Sequence, residues 1–182
     1  MKSYCFVYLV TQRVYYVYTG TARRKCTEKQ SWSEPDLFNC TSNTYLQFDG
    51  QVKAFESGNM SPYIADFTLS KLKNISYTTT PIYGGDILMV YRFTNVSLNY
   101  EISQTGLSMI SQQYRDFVQK LLVALSNVTN EKYSGYWQQV GKMTGGATHL
   151  MNLFEKFVAK TVQLLPQAQS GTYEAVSDDM GK

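Results

Sequence analysis

Apolar side chains in the middle of the chain recur every three or four residues. At about 100° per residue, these positions share one stripe about 80° wide, which predicts an amphipathic helix with a single buried face. Asn127 lies about 120° from the centre of that stripe, on the face expected to contact water. The stripe consists of Leu107, Ile110, Tyr114, Phe117, Leu121, Leu125 and Val128.

A second helix is predicted from about residue 147 to residue 165. Thr144 or the pair Gly145-Gly146 marks its start, and Pro166 marks its end because proline cannot continue a helix. The predicted buried seam consists of Leu150, Phe154, Phe157, Thr161 and Leu165, and the residues expected to widen it are Met151, Val158 and Val162.

Helix signals also precede the central stripe. Asp86 is a plausible N-cap for a helix over residues 87–100, and Ser61-Pro62 reads as the cap and first residue of a helix that ends near Ile75. A shorter helix is expected over residues 45–56, and a turn or two carrying Trp137 over residues 136–142. The residues predicted to point inward from the helix over 87–100 are Ile87, Val90, Tyr91, Thr94 and Leu98.

Four to six helices with short polar connections predict a mainly α fold, a helical bundle over residues 43–166. The start of the chain differs, because the run Tyr4–Val10 and the alternating residues up to Tyr18 favour β structure. We therefore expect a short β module over residues 1–42. The polar stretch 167–182 is expected to be a linker.

Composition narrows the possible partners. The net charge of +3 is small and spread along the chain, so it does not indicate a nucleic-acid partner. No stretch reaches the roughly 20 apolar residues that a membrane-spanning helix needs. The three cysteines, Cys5, Cys26 and Cys40, are an odd number, so either one thiol is free or a partner lies outside this chain.

Five of the nine asparagines begin an Asn-x-Ser/Thr triplet, more than chance pairing in a Ser/Thr-rich chain readily explains. Glycosylation at such a sequon requires passage through the secretory pathway and an exposed asparagine. Asn59 is the least convincing of the five because Pro62 follows its serine. The predicted glycosylation sites are Asn39, Asn59, Asn74, Asn95 and Asn127.

The sequence does not indicate catalysis. His149 is the single histidine, and no serine or cysteine nucleophile is paired with it by a known motif, so the exposed side of the last helix is its expected place. The glycines around Gly84-Gly85 and Gly145-Gly146 lack phosphate-loop spacing, and we interpret them as residues at the ends of helices. We predict no catalytic residue, no cofactor and no metal site; the cysteine spacing also argues against zinc.

Residues 20–42 resemble the end of a hormone-receptor module. The resemblance lies in Gly20-Thr21-Ala22-Arg23-Arg24-Lys25-Cys26, then Trp32, then Pro35-Asp36-Leu37-Phe38-Asn39-Cys40. In adhesion G-protein-coupled receptors this module precedes the GAIN domain, whose first half is helical. The rest of the chain is similar to that half: Tyr83-Gly84-Gly85-Asp86-Ile87 resembles the start of one GAIN helix, and the block through Trp137 to Leu153-Phe154-Glu155-Lys156-Phe157 resembles later ones.

The resemblance implies disulfides from Cys26 and Cys40 to two earlier cysteines of the module, although only Cys5 precedes them here. It implies as partners a β subdomain and a seven-helix domain of the same receptor, together with an extracellular protein ligand. The β subdomain, the autoproteolysis site and the seven helices have no counterpart in this sequence. The spacing leans toward the latrophilin and brain-angiogenesis-inhibitor branches without separating them from the flamingo-type cadherin receptors.

The first functional hypothesis is therefore a non-catalytic extracellular region of an adhesion receptor, on the outer side of the plasma membrane. It would support receptor signalling and help to present the autoproteolysis site. The alternative is a secreted helical binding module that acts alone, such as a truncated decoy receptor. A third hypothesis, a cytosolic helical scaffold, would be favoured if all three thiols were reduced and the chain carried no glycan.

Overall fold

The computed structural model describes residues 18–26, 31–59, 62–76, 82–103 and 112–164. The run Tyr4–Val10, Cys5, the stripe positions Leu107 and Ile110 and the tail 167–182 lie outside these ranges. The described elements are, in chain order, β1 (Tyr18–Arg23), β2 (Asp36–Ser42), α1 (Asn43–Leu46), α2 (Asp49–Glu56), α3 (Pro62–Ser76), α4 (Gly84–Ser103), α5 (Gln112–Val128), a 3₁₀ turn (Glu131–Tyr133), α6 (Ser134–Thr144) and α7 (Gly146–Leu164).

The predicted mainly α fold, with a small β element before the bundle, is confirmed. Strands β1 and β2 form an antiparallel pair in which Gly20 lies opposite Cys40. Gly20 has a φ of 141°, and a Cβ there would lie 2.0 Å from the carbonyl oxygen of Asn39. Only glycine fits where the two strands approach so closely.

Helix α4 lies at the centre of the bundle and contacts β2 and α1, α2, α5, α6 and α7. The five residues predicted to point inward are all buried, and so are Met89, Phe93, Ser97 and Glu101. The helix is thus buried on nearly all sides, which an analysis of one apolar face underestimates. It also begins earlier than predicted: Gly84 is its first residue, and Asp86 lies inside the first turn instead of capping it.

Helix α5 ends at Val128, as the stripe predicts, and buries Phe117, Leu121 and Val128. Its last carbonyl would have no partner within the helix. The indole Nε1–H of Trp137, in α6, donates to that carbonyl oxygen at 2.6 Å. The predicted tryptophan turn is therefore a full helix whose tryptophan closes the end of α5.

Helix α7 begins at Gly146, after Gly145 ends α6 in the left-handed conformation. Leu150 and Phe157 are buried as predicted, and Leu153 is buried as well. The prediction that Met151 and Val158 widen this seam is wrong, since they are 60% and 43% exposed. Both lie about 100° or more from the centre of the buried arc, beyond the part of α7 that α4 and α6 cover.

The single helix predicted over residues 45–56 is divided into α1 and α2 at Gln47 and Phe48. Phe48 is buried together with Val52 and Phe55 of α2. Helix α3 begins at Pro62 as predicted and ends at Ser76, one residue beyond the predicted end. It packs against α5.

Candidate functional site

Strand β2 rests directly on the first turn of α4. A Cβ on Gly84 would lie 2.5 Å from the carbonyl oxygen of Phe38, and one on Gly85 would lie 2.0 Å from the hydroxyl oxygen of Thr41. The side chain of Phe38 also enters the core of the bundle, with its ring centroid 6.4 Å from that of Tyr136. The two glycines therefore allow β2 to pack closely against α4, in addition to lying at the start of that helix.

Asp86 connects this strand to the bundle. Its Oδ1 accepts from the backbone N–H of Ser42 at 2.8 Å and from the Ser42 hydroxyl at 3.1 Å. Its Oδ2 accepts from the backbone N–H of Tyr83 at 3.0 Å, in the manner of a capping box at the start of α4. The Ser42 hydroxyl in turn accepts from the N–H of Tyr45 at 3.4 Å and so caps α1. One carboxyl group thus joins β2, α1 and α4.

The Asp86 side chain is fully buried. Burial raises its pKa from 3.8 to about 6, against the opposing effect of the hydrogen bonds from Tyr83 and Ser42. Burial likewise raises the pKa of Tyr45 and Tyr136, and the nearby Asp86 charge adds to both increases.

The predicted glycosylation sites fall into two groups. Asn39 on β2, Asn59 after α2 and Asn74 near the end of α3 are exposed. Asn95, within α4, and Asn127, within α5, are half-buried. The structure spreads these asparagines over five parts of the fold and does not bring them together.

Asn95 makes specific contacts. Its Oδ1 lies 3.1 Å from His149 Nε2 of α7 and accepts from the Asn99 Nδ2 at 3.2 Å. Asn99 Nδ2 also donates to the backbone carbonyl oxygen of Asn95 at 2.8 Å. The His149 ring is exposed, as expected, and its centroid lies 6.2 Å from that of the buried Tyr91 ring.

The two described cysteines lie in the β module. Cys26 is exposed, and its backbone forms an isolated antiparallel β-bridge with that of Trp32, which is itself 54% exposed. Cys40 is buried together with Ala22 and Tyr83. The disulfide pairing implied for Cys26 and Cys40 stays a prediction.

Helices α6 and α7 carry uncovered apolar side chains. Met143 of α6 is 63% exposed, and Met151 and Val158 of α7 are exposed as well. We call Met143, Met151 and Val158 the α6–α7 apolar set. No Asn-x-Ser/Thr triplet occurs in either helix, whereas β2, α3, α4 and α5 each contain the asparagine of one.

Within the described ranges, no three or more His, Cys, Asp or Glu residues are grouped so that they could hold a metal ion. Within the same ranges, no helix has the length and apolar content needed to cross a membrane. The charged contacts instead link helices: Arg92 of α4 binds Glu56 at 2.6 Å and Asp49 at 3.2 Å, both in α2. Hydrogen bonding from Arg92 lowers the pKa of Glu56.

A buried central helix with a β strand docked on its first turn defines a helical bundle joined to a small β element. Comparison with known families agrees with this class. The GAIN family model that is described as "AGRL2-4 GAIN subdomain A" matches residues 59–162 of this chain. The chain belongs to the GAIN family, and the predicted resemblance to an adhesion G-protein-coupled receptor is confirmed.

Several curated relatives are similar over most of this chain. The human cadherin EGF LAG seven-pass G-type receptor 2 is 29% identical over 147 residues, which are 79% of this chain and 5% of the receptor. The Drosophila melanogaster protocadherin-like wing polarity protein stan is 22% identical over an aligned stretch of 218 positions that covers 88% of this chain and 6% of that protein. The chain thus spans about a twentieth of the curated relatives it matches. Since the family model and these relatives carry different receptor names, they do not separate the branches.

Proposed function

We propose that this chain is part of the extracellular region of an adhesion G-protein-coupled receptor and acts there as a non-catalytic docking module. In this proposal residues 1–42 end a hormone-receptor module, residues 43–166 form the helical GAIN subdomain and residues 167–182 lead into a β subdomain. The family match and the similarity to seven-pass receptors support the proposal.

The α6–α7 apolar set is the observation that carries the docking role. Met151 and Val158 lie two turns apart on one side of α7, and contiguous exposed apolar surface of this kind marks a contact site on a folded domain. Sugars would obstruct such a surface, and the predicted glycosylation sites lie on other elements. We therefore assign the face of α6 and α7 that carries the α6–α7 apolar set to the contact with the β subdomain, and the exposed asparagines Asn39, Asn59 and Asn74 to the surface that faces solvent.

The role follows from this arrangement. The helical subdomain holds the β subdomain, which in the resembled receptors contains the autoproteolysis site, and connects it to the module that precedes the bundle. It contributes in this way to receptor signalling on the extracellular side of the plasma membrane, together with the seven-helix domain and an extracellular protein ligand. Glycans at the exposed Asn39, Asn59 and Asn74, and disulfides at Cys26 and Cys40, belong to the same proposal.

Two measurements test it. The 182-residue chain, expressed in secreting cells, should lose mass on treatment with a peptide N-glycosidase; a chain with no occupied sequon would contradict the extracellular assignment. The transcript should also be read past the codon for Lys182. A frame that continues into a β-rich segment and seven apolar stretches supports the receptor, whereas a stop codon directly afterwards supports the secreted binding module.

In that longer chain, Met151→Asp and Val158→Asp should reduce delivery to the cell surface, because each places a charge in the proposed contact. Asn152→Asp is the matched control, since it adds a charge at an exposed position of the same helix. Equal surface delivery of all three variants would contradict the assignment of α6 and α7 to the interface.

A further inference from the structure

Hydrogen bonding fixes the orientation of the Asn95 amide. The atom of Asn99 that contacts the backbone carbonyl oxygen of Asn95 must be a donor, because a carbonyl oxygen only accepts; it is therefore Nδ2. The same Nδ2 contacts the Asn95 side chain, so the Asn95 atom at that contact must be the acceptor, Oδ1. His149 Nε2 contacts this oxygen too and accordingly carries the hydrogen.

The remaining polar atom of the side chain, Nδ2 of Asn95, is the atom that bonds the sugar in an N-linked glycan. Among the described residues, none makes a hydrogen bond to this nitrogen, while both contacts of the side chain fall on Oδ1. The linkage keeps the carbonyl oxygen as an acceptor. A glycosylated Asn95 can therefore retain both of its contacts.

The other essential residue of this sequon is inaccessible in the fold. Ser97 is 1% exposed, and its hydroxyl has no hydrogen-bond partner in the part of the chain that the structure describes. A transferase that must bind the Ser97 hydroxyl can act only before α4 packs into the bundle. The glycan would then be present when the bundle forms, so the fold must accommodate it.

We propose that Asn95 carries an N-linked oligosaccharide whose linkage amide is clamped between α4 and α7 by Asn99 and His149. In the transfer, Nδ2 forms a bond to the anomeric carbon of a lipid-pyrophosphate-linked oligosaccharide, the bond from that carbon to the pyrophosphate oxygen breaks, and Nδ2 loses one proton. The inference rests on the proposed extracellular function. It adds that this glycan is held rigidly at its base, unlike one at the exposed turn residue Asn59.

The test uses the 182-residue chain secreted from mammalian cells and a peptide N-glycosidase in H₂¹⁸O. The enzyme hydrolyses the amide at the linkage and converts each released asparagine to a labelled aspartate that mass spectrometry locates. We expect Asn95 to be occupied and, without denaturant, to lose its glycan at least about tenfold more slowly than whichever of the exposed Asn39, Asn59 and Asn74 are occupied, because hydrolysis at Asn95 requires local opening. His149→Ala should accelerate release at Asn95 about three- to tenfold, the factor for one net hydrogen bond.

Three variants make the experiment decisive. Ser97→Ala destroys the sequon without touching Asn95, Asn99 or His149, so it should remove one glycan and leave secretion intact. Asn99→Ala removes the second donor at an exposed position and should also accelerate release, which covers the case that His149→Ala is not secreted. Thr148→Ala, an exposed neighbour of His149, should not change the rate.

An empty Asn95 in a protein glycosylated at Asn39 or Asn59 would overturn this inference and leave the proposed function intact. Release from Asn95 as fast as from the occupied exposed sites, or unchanged by both His149→Ala and Asn99→Ala, would refute the clamp. If none of the five sequons were occupied, the proposed function would fail as well.

Discussion

The buried carboxyl group of Asp86 should make the chain more stable as the pH falls. Two effects compete at this group. Burial disfavours the charged form, and the three donated hydrogen bonds favour it. The pKa of about 6 in the folded chain, compared with 3.8 as the ordinary value, means that burial is the larger effect. The folded state then binds the proton more tightly than the unfolded state does.

The sign and size of the pH effect follow from linkage. Because the folded pKa lies above the unfolded value, the stability contributed by protonation is fully present below pH 3.8 and is lost as the pH rises through about 6. Its full size is about 3 kcal/mol, at about 1.4 kcal/mol for each tenfold difference in proton affinity. Between pH 7.5 and pH 4.5, the change should be about 2 kcal/mol.

Urea unfolding followed by circular dichroism measures this effect in the wild type and in Asp86→Asn. When the two free energies of unfolding are subtracted, the contributions of the other titrating groups cancel, including that of Glu101. That difference should shift in favour of the wild type by about 2 kcal/mol as the pH falls from 7.5 to 4.5. Gly50→Ala is the control, because it changes no titratable group and a Cβ there meets nothing within 4 Å, so its difference should stay nearly constant.

A shift in the opposite direction would refute the reasoning. The wild type would lose stability relative to Asp86→Asn on acidification if the hydrogen bonds from Ser42 and Tyr83 held the pKa of Asp86 below its ordinary value. The joint between β2 and α4 would then depend on a carboxylate that has to be charged.

Three further predictions use the same unfolding assay. Gly84→Ala should lower the free energy of unfolding by about 3 kcal/mol, because its Cβ would lie 2.5 Å from a backbone oxygen of β2. Gly50→Ala, where a Cβ meets nothing within 4 Å, should instead stabilise α2 by about 0.5–1 kcal/mol. Similar losses in both variants would contradict the close approach of β2 to Gly84. Trp137→Phe should cost about 1–2 kcal/mol through the lost bond to the Val128 carbonyl, and an unchanged midpoint would show that water replaces the indole. Glu101→Gln should stabilise the chain at pH 7 and lose this advantage toward pH 4, since burial raises the pKa of Glu101; a less stable variant at pH 7 would reveal a favourable partner for the charge.

Local periodicity was sufficient to predict the helices, because each buried face repeats within one element. Ile87, Val90 and Leu98 could be placed in the core in this way, and so could Phe157. The same reasoning failed at Met151, where the apolar arc of α7 is wider than the surface that covers it. The width of an arc is set by the sequence of one helix, whereas its burial depends on which elements pack against it.

Contacts between distant residues could not be predicted. Ser42 and Asp86 are 44 positions apart, and Asn95 and His149 are 54 apart, so no window of a few residues contains either pair. The triplets that begin at Asn95 and Asn127 look the same as the one at Asn39. The helix predictions already place Asn95 and Asn127 on helices, but only the packing of neighbouring elements shows that both are half-buried while Asn39 is exposed.

The segment Gly84-Gly85-Asp86 shows why a local interpretation of such residues is incomplete. A helix start needs only a cap, and many residues can supply one. Here the two glycines also leave room for β2, and the aspartate binds that strand through Ser42 at 2.8 Å. Helix α4 contacts β2, α1, α2, α5, α6 and α7, so a displacement of β2 at its first turn would act on the core of the bundle. A larger side chain at Gly84 should therefore disturb the whole bundle, although its site lies at one end of a single helix.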